Sequence, residues 1–226
     1  METGFLPWVR RGMAVCRKDL RVEFRTRYVY SALLMFAVTV MVTVSFTVGG
    51  FLPDSGIAAA LLWIILFFSA MAGLSRTFVQ EEETGTAAAL RMAAAPEAVL
   101  MGKCMYNAVL LFSLAVLLVP LFFVLLNQSV LLPGLFLAVL LLGLLGLAAV
   151  STVLAAIVAK AEAKGLLMAV LSFPVLLPLL LTAVKATHNC LAGSREGVAA
   201  SMLLLFCYDG VIITASFLLF AFIWDD

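Results

Sequence analysis

Residues 28–49 read YVYSALLMFAVTVMVTVSFTVG, 22 positions without a charged side chain. A helix needs about 20 apolar residues to cross the hydrocarbon core of a bilayer, so length and composition alone make this stretch a transmembrane helix. Five further runs qualify, at 57–78, 104–126, 132–159, 166–184 and 198–224. The fourth and sixth exceed what a bilayer requires, which implies tilt or an interfacial turn. With 65% hydrophobic residues and a mean hydropathy of +1.20, a soluble domain of this size could not hide its apolar surface. The expected fold is an all-α integral membrane protein of six transmembrane helices.

Lys and Arg concentrate on the side of a membrane protein that stays in the cytoplasm. Counted over alternate polar segments, 12 of them fall on the N-terminal side and 2, Lys185 and Arg195, on the other. Six spans then place both termini in the cytoplasm of a bacterial inner membrane. The first 27 residues carry seven Lys/Arg, but the apolar run after them is too long for a signal segment and lacks a cleavage site. The net charge of +1 gives no cause to expect nucleic acid as a partner.

Residues 1–27 form a unit apart from the six-span domain at 28–226. Leu6, Val9, Met13, Cys16, Leu20 and Phe24 recur at steps of three and four, one apolar stripe on a helix. Arg17, Arg21 and Arg25 lie on the other faces, and Pro7 suits a first turn. Such a helix lies along the headgroup layer, with its stripe in lipid and its arginines on phosphate. It is either a topology determinant or an elbow helix flanking a docking platform.

Between the second and third spans lies a polar island. Gln80-Glu81-Glu82-Glu83-Thr84-Gly85 is followed by Ala87 to Ala95, a strong helix former, then Pro96 and Gly102-Lys103. The expectation is a short helix below the membrane, preceded by a break at Thr84-Gly85, with acids near its start to suit the helix dipole and Pro96 ending it. A charge run is commonly a plain solvated loop; a soluble partner is the alternative reason for it.

The order Glu81, Gly85, Leu90, Pro96, Gly102, Lys103 within one loop resembles the cytoplasmic loop of ABC-2-type ABC transporter permeases. The stretch 90–103, the fifth span from Phe173 to Thr187 and the opening Arg17 to Arg25 narrow the resemblance to the CcmB family, the haem exporter protein B of cytochrome c maturation. It covers essentially the whole chain. What it implies is a non-catalytic membrane subunit that couples ATP hydrolysis by a separate ATPase to haem delivery or release of the haem chaperone. The implied partners are the ATPase CcmA, then CcmC, CcmD and the haem chaperone CcmE, with a homodimer of this chain in the complex. The ATPase-coupling role is transferred to Glu81, Gly85, Leu90, Pro96 and Lys103, with Glu82 and Glu83 as acidic neighbours. No cofactor is expected on this chain: ATP belongs to the partner, since no Walker motif is present, and haem to the complex. An ABC-2 permease exporting a lipid, drug or polysaccharide would carry much the same loop. A scaffold that recruits the ATPase without changing shape is a third possibility.

Few other residues suggest chemistry. Cys16, Cys104, Cys190 and Cys207 share no metal-ligand spacing, so no metal is expected. The only histidine, His188, falls in an expected loop with Asn189 and Cys190, where a lone histidine is solvated as a rule. Trp8 and Trp224 fit interfacial anchors. Asp209 is an acid inside the sixth span, either a hydrogen-bond hub or part of a conformational route. Pro120, Pro174 and Pro178 should kink or loosen their helices. Gly143 and Gly146 permit close helix approach. A membrane enzyme would need clustered polar groups at membrane depth, which this chain lacks.

Overall fold

The computed structural model describes residues 5–48, 54–74, 76–159, 161 and 164–225. Residues 1–4, Gly49, Ser75 of the second run and Lys160, which figure in the expectations above, lie outside them. Among the described residues every regular element is an α-helix: α1 (Phe5–Thr26), α2 (Tyr28–Val48), α3 (Ser55–Leu74), α4 (Arg76–Glu83), α5 (Ala87–Ala93), α6 (Pro96–Leu125), α7 (Pro133–Val158), α8 (Lys164–Ala192) and α9 (Val198–Asp225). Six helical runs are long and apolar enough to cross a membrane. The chain is a multi-pass membrane protein.

α7 is the central post. It packs against α3, α4, α6, α8 and α9. Of its most apolar stretch 67% of residues are buried, against 22% for α2 and for α9. The small residues of α7 explain this position. A Cβ on Gly143 would come 2.1 Å from the Trp63 ring of α3, and one on Gly146 would come 2.1 Å from Leu179 of α8 and 2.4 Å from Asp209 of α9. Two bare turns thus admit three neighbouring helices, in line with the expectation of close approach. Trp63 is 1% exposed, and its indole N–H donates to Thr187 Oγ1 at 2.9 Å.

Several boundaries differ from the sequence expectation. The second apolar run, helical to Leu74, is followed by described helix again from Arg76 to Glu83, so helix reaches beyond the expected end at 78. Pro96 does not merely end a helix: it is the first residue of α6, where its missing N–H costs nothing, so the third span starts eight residues early. The fifth span continues to Ala192, because Ala183, Ala186 and Cys190 extend one buried stripe at helical spacing. His188 is therefore helical, and its Nδ1 lies 2.9 Å from Ser55 Oγ. Pro120, Pro174 and Pro178 all sit inside continuous helices, on exposed faces.

Replacing Gly143 by Leu should destabilise the bundle by about 1–3 kcal/mol, the range for overpacking. Trimming Trp63 to Ala in the same chain should return part of that loss. Thermal unfolding in detergent across the four variants of this cycle checks it, and additive losses would contradict the contact.

Candidate functional site

The polar island folds as a helix, a turn and a second helix. α4 ends in a glycine cap: Thr86 N–H donates to Glu81 O at 3.0 Å and Gly85 N–H to Glu82 O at 3.2 Å. Gly85 has φ +70°, a left-handed value that side chains resist, and a Cβ there would otherwise meet open space. The three acids consequently close α4 instead of opening the next helix, a correction to the expected order. At that negative helix end they are unfavourable unless bases offset them.

The bases come from α1 and α6. Lys103 Nζ donates to Glu81 Oε1 at 2.9 Å and to Thr77 O at 2.9 Å, and lies 3.1 Å from Asp19 Oδ2. Lys103 is 2% exposed; two of its N–H donors go to Glu81 and Thr77 O, and Asp19 Oδ2 stands beside it as an ion-pair partner without a hydrogen bond of its own. Lys18 Nζ reaches Glu81 Oε1 at 2.5 Å and Asp19 Oδ1 at 3.1 Å. Thr86 Oγ1 donates to the other Glu81 oxygen, Oε2, at 2.5 Å. Burial alone would lower the Lys18 ammonium, but its hydrogen bond to Glu81 and the charges of Asp19 and Glu81 outweigh burial and raise it above the ordinary lysine value. Two ammoniums and two carboxylates thus close a neutral knot across α1, α4 and α6.

Glycine makes the knot possible. A Cβ on Gly102 would come 2.6 Å from Gly12 O and 2.7 Å from Val15 Cβ. α1 therefore rests directly on the backbone of α6, which brings Asp19 beside Lys103. The buried face of α1 is Gly12, Val15, Cys16, Asp19 and Glu23. This departs from the expected apolar stripe. Cys16 faces inward, but Met13 is 42% and Phe24 75% exposed. Arg17, Arg21 and Arg25 are exposed as expected.

The knot continues into the bundle. Thr77 Oγ1 lies 2.8 Å from both Leu74 O and Asn107 Oδ1, Asn107 Nδ2 donates to Thr152 Oγ1 at 2.8 Å, and Thr152 Oγ1 donates to Ala148 O at 2.6 Å. All three side chains are buried, so this chain of bonds ties α4 through α6 to α7.

Beyond the turn, α5 is anchored by Ala87 and Leu90, which are buried, while Ala88, Ala89, Arg91 and Met92 face out. Leu90 belongs to a second apolar cluster with Phe78, Phe220 and Trp224. The Arg91 guanidinium stands 5.2 Å from the Trp224 ring and 3.8 Å from Glu82 Oε1. Trp224 is only 6% exposed, so it is a support under α5 and not the interfacial anchor expected from its position near the chain end.

The predicted set therefore divides. Glu81 and Lys103 meet in the buried knot, Gly85 shapes the turn, Leu90 anchors α5 and Pro96 opens α6. Glu82 is half-buried and Glu83 exposed. Asp209 is elsewhere, in the middle of α9 against Gly146. Lys18, Asp19, Thr77, Asn107 and Thr152 were missed by sequence reasoning. The signal that could have found the acids of α1 is the spacing of Val15, Asp19 and Glu23, four residues apart on one helix face.

Replacing Lys103 by Met should cost about 3–5 kcal/mol, because Asp19 and Glu81 lose their buried counter-charge. Lys18→Met should cost at most about 1 kcal/mol, since that side chain is 44% exposed and its pairs are screened. Unfolding in detergent measures both, and equal losses would refute the burial argument.

Sequence comparison places this arrangement among known proteins. The family model described as CcmB protein matches residues 10–223. Heme exporter protein B of Bradyrhizobium diazoefficiens is 28% identical over 185 residues, which cover 80% of this chain and 82% of that protein.

Proposed function

This chain belongs to the CcmB family, and on that premise we propose that it is the membrane permease subunit of an ABC-type complex for c-type cytochrome biogenesis. In this proposal a separate ATPase, CcmA, hydrolyses ATP and pushes on α5. The chain itself is non-catalytic and passes the motion to its spans, linked to haem delivery or to release of the haem chaperone CcmE. CcmC and CcmD complete the assembly, and two copies of this chain serve two ATPase subunits. The termini, α1 and α5 lie on the cytoplasmic side of a bacterial inner membrane, in keeping with the Lys/Arg bias. The name of the Bradyrhizobium relative, a heme exporter, supports haem as what the complex handles.

The observation that carries this reading is the display of α5. It is a short helix standing off the spans, fixed at its base by Leu90 and by the knot under Glu81. Its outward residue Met92 is 85% exposed. An apolar, adaptable side chain in that position suits insertion into a partner groove.

Co-purification of the full chain with the ATPase from mild detergent tests the assignment. Met92→Asp should abolish capture while leaving the protein monodisperse, because Met92 supports nothing inside the bundle. Capture unchanged by Met92→Asp would overturn the role of α5. Capture of an ATPase without any cytochrome maturation subunit would favour an ABC-2 exporter of another substrate instead.

A further inference from the structure

The knot forms the back wall of a cavity of about 480 Å³ that opens to the outside of the molecule. Its level in the fold is set by two other walls. Val29 belongs to the first turn of α2, and Gly73 lies at the end of the apolar part of α3, three residues before the charge of Arg76. The cavity thus lies where two apolar spans meet the membrane surface on the N-terminal side, the depth of lipid headgroups.

The four charges of the knot balance one another, but two further charged residues line the same cavity. Glu23 is 7% exposed; its Oε1 accepts from Tyr30 N–H at 2.7 Å, and its carboxylate is also hydrogen-bonded by the Tyr106 hydroxyl in the same cavity. It has no basic partner among the described residues. Arg76 lies over the Tyr28 ring at 4.9 Å and donates from one nitrogen to Tyr28 Oη at 3.1 Å. It has no acidic partner among the described residues either, which leaves most of its donor fork free. A buried carboxylate without a cation is costly, and a guanidinium fork is shaped for phosphate.

We propose that this cavity is a headgroup site for a phospholipid carrying a primary ammonium. The phosphate sits at Arg76 and the ammonium donates to Glu23, while the acyl chains run past Val22 and Tyr28, which are 42% and 59% exposed. An ammonium with N–H donors suits Glu23 better than a quaternary one, which has none. An anionic headgroup lacks the cation that Glu23 needs. A lipid held here bridges α1 and α4 beside the knot. The site depends on neither haem nor the ATPase.

Native mass spectrometry tests it on the full chain, released from vesicles of equal parts phosphatidylethanolamine, phosphatidylcholine and phosphatidylglycerol. The wild-type chain should retain phosphatidylethanolamine over the other two by about tenfold or more, the worth of one charge-assisted hydrogen bond. Glu23→Gln should erase the preference over phosphatidylcholine while keeping the Tyr30 bond. Arg76→Gln, a change at an exposed residue, should reduce retention of all three lipids. Equal retention of the three by the wild-type chain overturns the proposal without any substitution. So does a preference that survives both variants. If soluble phosphoethanolamine binds the delipidated chain as tightly as the lipid does, the ligand is a free zwitterion and the lipid assignment fails.

Discussion

A lysine ammonium that is 2% exposed has to be neutralised where it stands, because moving one charge out of water costs several kcal/mol even after relaxation. Lys103 meets that demand with acids from two different helices, Asp19 of α1 and Glu81 of α4. Neither helix can leave without stranding a charge. α1 is therefore fixed to α6 although it is not among the helices long and apolar enough to cross a membrane, and the polar stretch of α4 is fixed just before the Gly85 turn. The same requirement explains why acids occupy the unfavourable end of α4: the bases around them outweigh the helix dipole.

Charge attracts but does not by itself allow approach. The α1–α6 contact works because Gly12 and Gly102 remove two side chains at the crossing point. α7 repeats the device higher in the bundle with Gly143 under Trp63 and Gly146 under Leu179 and Asp209. Within lipid no hydrophobic force drives one helix onto another, so close packing and internal hydrogen bonds must do it. Trp63–Thr187 and Asn107–Thr152 are bonds of that kind, each between residues that close packing has first brought within reach.

This division explains what could be read from the residues alone. The six spans were legible because a bilayer imposes a length, and an apolar run either meets it or does not. The motif order from Glu81 to Lys103 was legible too, and it led to the right family. What it concealed was which residues pair. The acids of the island read as a surface feature because sequence gives no burial, and Glu81 is in fact 7% exposed. α1 misled for a different reason. Its large apolar residues recur at helical spacing, which fits a lipid-facing stripe, while its protein-facing side is built from a glycine, a valine, a cysteine and two acids. Hydrophobic periodicity marks the face that water avoids, and in a membrane protein that face can be the one turned to lipid. The inner face had to be found from Lys103, by asking which carboxylates could reach it. Trp224 shows the same limit: nearness to the chain end suggested an anchor, and only the fold shows Phe220 stacked on it and Phe78 meeting it edge to face.

The arrangement also constrains how a force on α5 could travel. α5 joins α4 through the Gly85 turn and through the bond from Thr86 to Glu81. Glu81 is held by Lys103, and Thr77, one turn earlier in α4, is hydrogen-bonded to Asn107. A displacement of α5 would thus load α6 at two points four residues apart, and through Thr152 it would load α7. Among the described residues α2 reaches this path at two places, the Tyr30 amide on Glu23 of α1 and the Tyr28 hydroxyl on Arg76 of α4. The stiff path therefore runs from the turn into the central post of the bundle, while α2 is held from the side, by Leu33 packed on Gly73 of α3 and by the bond from Arg76 to Tyr28. Coupling of this kind needs an element with two arrangements.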